Sequence, residues 1–202
     1  MATETTIPFY DRSEAERIAI TMAAISEGRT VLERWAVLAD PEANPWSERA
    51  AMAAKLLADE ADVVDLGCGT MNLERHLRPG QAYIPMDVVA RDARTIICDF
   101  NRELPPPTSA SAAACLGLLE YLHKPHEFMS TLSRQYKSVV VSYCVVDAPE
   151  ALQKRREHAW VNDFDTARLE ELFAAAGWTT MDCRWIDSWQ RLWRLNSTHV
   201  CL

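Results

Sequence analysis

The sequence predicts an α/β fold of three layers, α/β/α, with a mostly parallel sheet, a C-terminal antiparallel hairpin and a helical N-terminal extension. Three observations predict it. Beyond residue 61, helical periodicity gives way to short apolar runs flanked by breakers, as buried parallel strands require. The runs at 62–66, 82–86 and 95–98 each close on an acidic residue, namely Asp65, Asp87 and Asp99. The first run also leads directly into Gly67-Cys68-Gly69, a tight turn that lets a ligand approach backbone.

Elements can be assigned in order. Residues 1–45 read as a helical extension and 46–202 as the α/β domain. Ser13-Glu14-Ala15-Glu16 is a capping box, and Ile18, Met22 and Ile25 follow at helical spacing until Gly28. Val31, Leu32, Trp35 and Leu38 form a second apolar set, ending at Asp40-Pro41. Asn44-Pro45 reads as an N-cap and first helical position, with Trp46, Ala50, Ala53, Ala54 and Leu57 on one buried face. After the glycine turn, Asn72 to Leu77 reads as a helix. Strands at 112–118 and 138–146 flank a helix from Pro125 to Tyr136 with Phe128, Met129 and Leu132 inward. Thr166 to Ala176 is the next helix, with Gly177 as the residue past its end. Trp178 to Ile186 and Gln190 to Leu195 close the chain as a hairpin. Only residues 88–94 separate Asp87 from the next strand, whereas a parallel crossover with a helix needs about 10–12 residues. The helix usually expected there is therefore missing or a single turn, and the N-terminal helices or a partner are expected to cover the bare sheet face.

Composition narrows the function. The chain has 202 residues, 49% hydrophobic and 25% charged, as expected of one soluble domain. A formal charge of −8 argues against tracking a phosphate backbone, so no nucleic acid partner is expected. No uncharged run is long enough for a bilayer, and no membrane partner is expected. The six cysteines contain no Cys-x-x-Cys and sit mostly in apolar runs, which reads as buried thiols in a cytoplasmic protein. His123 and His126 have metal-pair spacing, but Pro125 interrupts the turn between them, so no metal is expected.

Val63 to Thr70, Asp87, Asp99-Phe100, Leu116 to Leu122 and Ala175 to Trp178 together resemble the class I S-adenosylmethionine-dependent methyltransferases, a Rossmann-like family. The resemblance spans roughly residues 45–195. The stretch from Asp99 through Tyr143 is similar, more loosely, to the MetW-like methionine-biosynthesis proteins. The class I resemblance implies that S-adenosyl-L-methionine is the cofactor and S-adenosyl-L-homocysteine the product. It implies a cofactor-binding set of Asp65, Gly67, Cys68, Gly69, Asp87, Val88, Asp99, Phe100, Leu116 and Gly117. Within that set Asp87 would accept the ribose hydroxyls, Asp99 the adenine amino group, and the Leu116 or Gly117 carbonyl the methionyl ammonium, while Asp65 orients the glycine turn. The family often has a third glycine where this chain has Met71. A dinucleotide site would instead want glycine at position 72, which is Asn72.

The expected activity is in-line methyl transfer to a small-molecule acceptor. The alternative is a methyltransferase-like accessory protein that binds a partner enzyme with little turnover; a homo-oligomer also fits a bare sheet face. A general base is needed only for a hydroxyl or protonated amine. The catalytic candidates are Glu120 and His123, with Tyr121 and His158 behind them. Tyr10, Trp35, Trp46 and Trp160 are candidates for an acceptor pocket beneath an N-terminal lid.

Overall fold

The computed structural model describes residues 7–37, 46–147 and 154–199. The break expected at Asp40-Pro41 and the helix start expected at Asn44-Pro45 lie outside the described residues. Among the described residues, the seven strands are β1 Asp62–Leu66, β2 Ala82–Asp87, β3 Ile96–Ile97, β4 Ala112–Leu116, β5 Ser138–Cys144, β6 Trp178–Trp185 and β7 Gln190–Ser197. They form one sheet in the order β3-β2-β1-β4-β5-β7-β6. The first five run parallel, and β7 pairs antiparallel with both β5 and β6. Strand order reverses between β1 and β4, and ligands of open α/β sheets bind beyond the strand ends at such a switch.

Side-chain alternation splits the core into two layers. Val64, Leu66, Cys115, Val139, Val141 and Trp193 face α4 (Pro125–Gln135) and α5 (Thr166–Ala175), which present Phe128, Met129, Leu132, Leu169 and Phe173. Val63, Ala112, Ala114, Val140 and Leu192 face the other way, against Ala53, Ala54, Leu56 and Leu57 of α3 (Ser47–Leu56) and its C-cap. Alanines on β4 leave room for α3 to approach the sheet closely.

The helix expected at Asn72 to Leu77 is not formed. Only a single 3₁₀ turn, Glu74–His76, stands there, and the chain is extended again at Leu77. The physical reason lies in the flanks. Pro79 biases Arg78 away from helical geometry, and Met71 is left-handed at φ 55°, so too few residues remain to nucleate a helix. The short link between β2 and β3 has no helix, as its length requires.

The N-terminal segment goes elsewhere than the bare sheet face. Its α1 (Glu14–Glu27) has the expected capping box and ends at left-handed Gly28. Its buried side runs through Thr21 and Ala24, while Met22 is half exposed, contrary to the simple apolar spacing. Thr21 Oγ1 donates to the Arg156 carbonyl at 2.7 Å, and Phe9, Ala24 and Val31 pack on Ala159 and Tyr121. This segment, with α2 (Leu32–Trp35), therefore lies over the C-terminal strand ends. On the face it does not reach, Ile97 of β3 remains 64% exposed.

The seat for α1 is the loop after β5, and a buried cation holds that loop. Arg155 is fully buried and donates to the Cys144 carbonyl at 2.7 Å, the Tyr143 hydroxyl at 2.6 Å and Asp163 at 2.8 Å. Asn162 Nδ2 ties the same loop to the Leu119 and Leu122 carbonyls. Replacing Arg155 by Met removes the donor to the buried Cys144 carbonyl and Tyr143 hydroxyl, while Asp163 keeps Arg156. We expect Arg155→Met to cost about 3 kcal/mol and to lower Tm by about 6–12 °C in a thermal melt. A shift of less than about 2 °C would show that the cation is dispensable to the loop.

Candidate functional site

Two adjoining cavities open beyond the C-terminal ends of β1, β2 and β4. The smaller, about 50 Å³, is lined by Asp87, Val88, Asp99, Phe100, Asn101 and Leu118 among others. The larger, about 520 Å³, is lined on the sheet side by Asp65, Gly67, Cys68, Gly69, Leu116 and Gly117. Gly67, Gly117, Trp35 and Tyr121 border both. The ten residues proposed from the sequence thus all line one or both cavities.

Asp87 is the knot of this region. It is buried; its Oδ2 accepts the Gly69 N–H at 2.8 Å, and its Oδ1 accepts the Val89 N–H and the Arg91 guanidinium, both at 3.1 Å. The glycine turn is further pinned by Gly67 and Cys68 N–H groups donating to the Met86 carbonyl. Gly67 has φ 73°, and a Cβ there would press on Leu118 at 3.0 Å. Met71 has a left-handed backbone, φ 55°, a region that glycine enters freely and that costs about 1–2 kcal/mol for a residue with a side chain.

Two of the three strand-end acids, Asp87 and Asp99, are tied to the N-terminal segment. Thr30 Oγ1 donates to Asp99 Oδ1 at 2.5 Å, and Asn101 Nδ2 donates to Thr30 Oγ1 at 2.9 Å. Arg91, on Asp87, also donates to the Trp35 carbonyl at 3.0 Å. Phe100 packs edge-on to Phe128, with ring centroids 5.3 Å apart, and so is fixed beside Asp99.

The far wall of the larger cavity is aromatic. Tyr10, Trp35, Trp46 and Trp160, the four rings proposed for an acceptor pocket, all line it, and Trp189 joins them. Trp160 donates its indole N–H to the Tyr121 hydroxyl at 2.9 Å. Tyr121 in turn meets the Trp35 ring at 4.7 Å.

The candidate bases separate. His123 borders neither cavity. Its Nε2 meets the Arg29 carbonyl at 3.0 Å and its N–H donates to Asn101, so it joins two loops. Glu120 lines the larger cavity, buried, with Oε1 accepting the Cys144 N–H at 2.9 Å; burial raises its pKa. His158 also lines that cavity, with Nδ1 3.3 Å from the Tyr10 hydroxyl. Burial first, then the charges of Arg34, Arg17, Lys154 and Arg155, lowers its pKa and keeps the imidazole neutral near pH 7.

Two arginines on the cavity wall lie outside the set read from the sequence. Arg49 projects from α3 onto the backbone of Gly117, where a Cβ would run into its guanidinium. Burial lowers its pKa, and its Nε has no hydrogen-bond partner among the described residues. A signal for it is present in the sequence: Arg49 shares the buried face of Trp46, Ala50 and Ala53, an unusual place for a charge. Arg34, in α2, is only 5% exposed and has no comparable local signal.

Asp65 accepts the Tyr83 hydroxyl at 2.8 Å, and burial pushes its carboxyl up to about 7 against an ordinary 3.8. The folded state therefore holds this proton more tightly than the unfolded chain. The resulting stability is complete below pH 3.8, falls as pH rises, and is lost once pH passes about 7. Asp65→Asn removes that slope. In thermal melts the variant's Tm should gain on the parent's between about pH 4 and 7 and then level off. A Tm difference that stays constant with pH would contradict the assignment.

Comparison with known proteins shows the family of the chain. Residues 41–202 match a methyltransferase-domain family. No curated protein sequence matches the chain. Among solved structures, it resembles the 1,6-didemethyltoxoflavin-N1-methyltransferase of Burkholderia thailandensis, solved with its substrate and S-adenosylhomocysteine. The TM-score is 0.62 at 16% identity, covering 98% of this chain and 94% of that one. It also resembles human N-acetylserotonin methyltransferase in complex with S-adenosylmethionine, with TM-score 0.59 at 14% identity, covering 98% and 61%. A riboflavin-type dimethyltransferase from Streptomyces davawensis gives TM-score 0.61 at 14% identity, covering 94% and 71%. The family match is to the broad methyltransferase domain and not to the MetW-like group. The chain belongs to the methyltransferase-domain family.

Proposed function

We propose that this chain is an S-adenosylmethionine-dependent methyltransferase acting on a small-molecule acceptor. The observation that carries this reading is the pairing of the two cavities. One holds the carboxylates of Asp87 and Asp99; the other is aromatic-walled, and they meet at the glycine backbones of Gly67 and Gly117.

The residues present suit the cofactor. A carboxylate offers about four acceptor sites; three on Asp87 take N–H donors and the fourth faces only the Cys68 thiol at 4.0 Å, a weak donor that a ribose hydroxyl on Oδ2 can displace. Among the described residues Asp99 Oδ2 faces only Arg102, at 3.7 Å, and can accept from an adenine amino group. Phe100 offers a ring face to the base. Arg49 places a partly buried cation beside Gly117, the place for a methionyl carboxylate, and the Leu116 or Gly117 carbonyl can accept the ammonium. The bound cofactor supplies an electrophilic methyl group on a sulfonium that leaves without acid assistance. The protein's contribution is then positioning, exclusion of water by the N-terminal segment, and removal of the acceptor's proton. We assign that last role to His158, because it is neutral and borders the aromatic part of the cavity while His123 does not.

Two measurements test these roles. Asp87→Ala removes charge-assisted hydrogen bonds and should weaken S-adenosylhomocysteine binding by about 1.5–3 kcal/mol in calorimetry. Undiminished affinity would refute the ribose assignment. For His158→Gln, turnover should fall about 10²- to 10⁴-fold with cofactor affinity retained. In the parent, activity should climb on the acidic side and reach its plateau by about pH 7, since the imidazole must be neutral to accept a proton. Tyr10, Arg17, Arg34, Lys154 and Arg155 surround this ring, and the cations among them set the direction. A variant with parental turnover, or a parent whose acidic limb is absent, would rule His158 out.

A further inference from the structure

The part of the larger cavity away from the strand ends carries a buried cation that the cofactor roles leave unused. Arg34 is 5% exposed and lines the cavity. Its guanidinium carbon lies 4.5 Å from the ring centroids of both Tyr10 and Trp35. Among the described residues, its Nε has no hydrogen-bond partner and none of its nitrogens has a carboxylate within the 4.0 Å of an ion pair. A buried guanidinium that, among the described residues, lies on ring faces with its Nε unpaired is a costly arrangement that a ligand anion would offset. Rings alone would suit a cationic ligand just as well. The charges decide against that: Arg34 stands among the rings themselves, whereas the acids on the cavity wall are engaged elsewhere, Asp65 with the Tyr83 hydroxyl, Glu120 with the Cys144 N–H and Asp187 with the N–H groups of Trp189 and Gln190, and burial raises the pKa of Asp65 and Glu120.

We propose that the acceptor is a flat aromatic hydroxy acid whose carboxylate binds Arg34 and whose hydroxyl faces His158. This rests on the methyltransferase reading above. Trp160 and Trp189, tilted 44° with centroids 5.7 Å apart, supply ring faces for a flat acceptor. Tyr10 links the two polar ends: its ring lies by the guanidinium and its hydroxyl is 3.3 Å from His158 Nδ1. Anion site and base are thus about one ring apart, the spacing of an aryl carboxylate and a ring hydroxyl. In the transfer the hydroxyl oxygen bonds to the methyl carbon and its proton passes to the His158 imidazole. The carbon–sulfur bond of the sulfonium breaks with its electron pair left on sulfur, giving a thioether and an aryl methyl ether.

The test is calorimetric titration of the full chain saturated with S-adenosylhomocysteine. The probes are 3-hydroxybenzoate and 1-hydroxy-2-naphthoate, each against its neutral carboxamide. At least one acid should bind at least ~10-fold more tightly than its amide, the scale of one charge-assisted hydrogen bond. Arg34→Gln should erase that preference while leaving affinity for S-adenosylhomocysteine unchanged. Amides that bind as well as acids, acids that do not bind while S-adenosylhomocysteine does, or an acid preference that survives in a folded Arg34→Gln, would each overturn this inference alone. If the variant does not fold, the acid–amide comparison on the parent still decides. Failure of S-adenosylhomocysteine to bind would overturn the methyltransferase reading, and this inference with it.

Discussion

The buried carboxylate of Asp87 is the constraint on which the rest of the site depends. A carboxylate at 3% exposure must be surrounded by donors or give up its charge. Here the donors come from two parts of the chain, Gly69 of the glycine turn and Val89 and Arg91 of the loop after β2, and Arg91 reaches a third by bonding the carbonyl of Trp35. Satisfying one carboxylate therefore fixes the turn, the loop and the N-terminal segment relative to one another. The bond from Thr30 to Asp99 repeats the arrangement one strand further out. The same acids that suit an adenosine thus hold the segment that closes over it, and a cofactor entering the cleft must share or replace those bonds.

A second support works from the opposite side. Arg155 binds the end of β5 to the loop that carries His158 and Trp160, and Asn162 binds that loop to the turn after β4. His158 and one aromatic wall are thereby held by the sheet itself. The other wall, Tyr10 and Trp35, arrives with the N-terminal segment, and Thr21 on Arg156 joins the two. The acceptor end of the cleft is built between a rigid loop and a covering segment, a common arrangement where water must be excluded during reaction.

Much of this is legible in the sequence, for reasons that are local. Apolar runs ending in acids mark strand ends, and glycines mark the turn, because both signals lie within a few residues. The capping box at Ser13 and the glycines past α1 and α5 are readable on the same ground. The segment after β1 looks helical because Leu73 and Leu77 stand four residues apart. Left-handed Met71 and Pro79 outweigh that spacing, since between them they leave too short a stretch to nucleate a helix. His123 suggests itself as a base because it follows a strand end directly, but its imidazole turns to the Arg29 carbonyl. Nothing local brings residue 158 beside residue 10; that contact exists only because α1 docks on the loop after β5. Arg49 is readable as a charge on an alanine-lined face, whereas Arg34 becomes meaningful only once Tyr10 lies against it.

The central claim is that one ligand bridges the strand-end acids beneath the N-terminal segment. Hydrogen–deuterium exchange with and without saturating S-adenosylhomocysteine tests this most directly. Amides of residues 29–35, the glycine turn at 67–71 and the loop at 88–91 should slow together, since all three converge on Asp87 and Asp99. Binding that protects the glycine turn but leaves residues 29–35 unchanged, or no change in any of them, would contradict it.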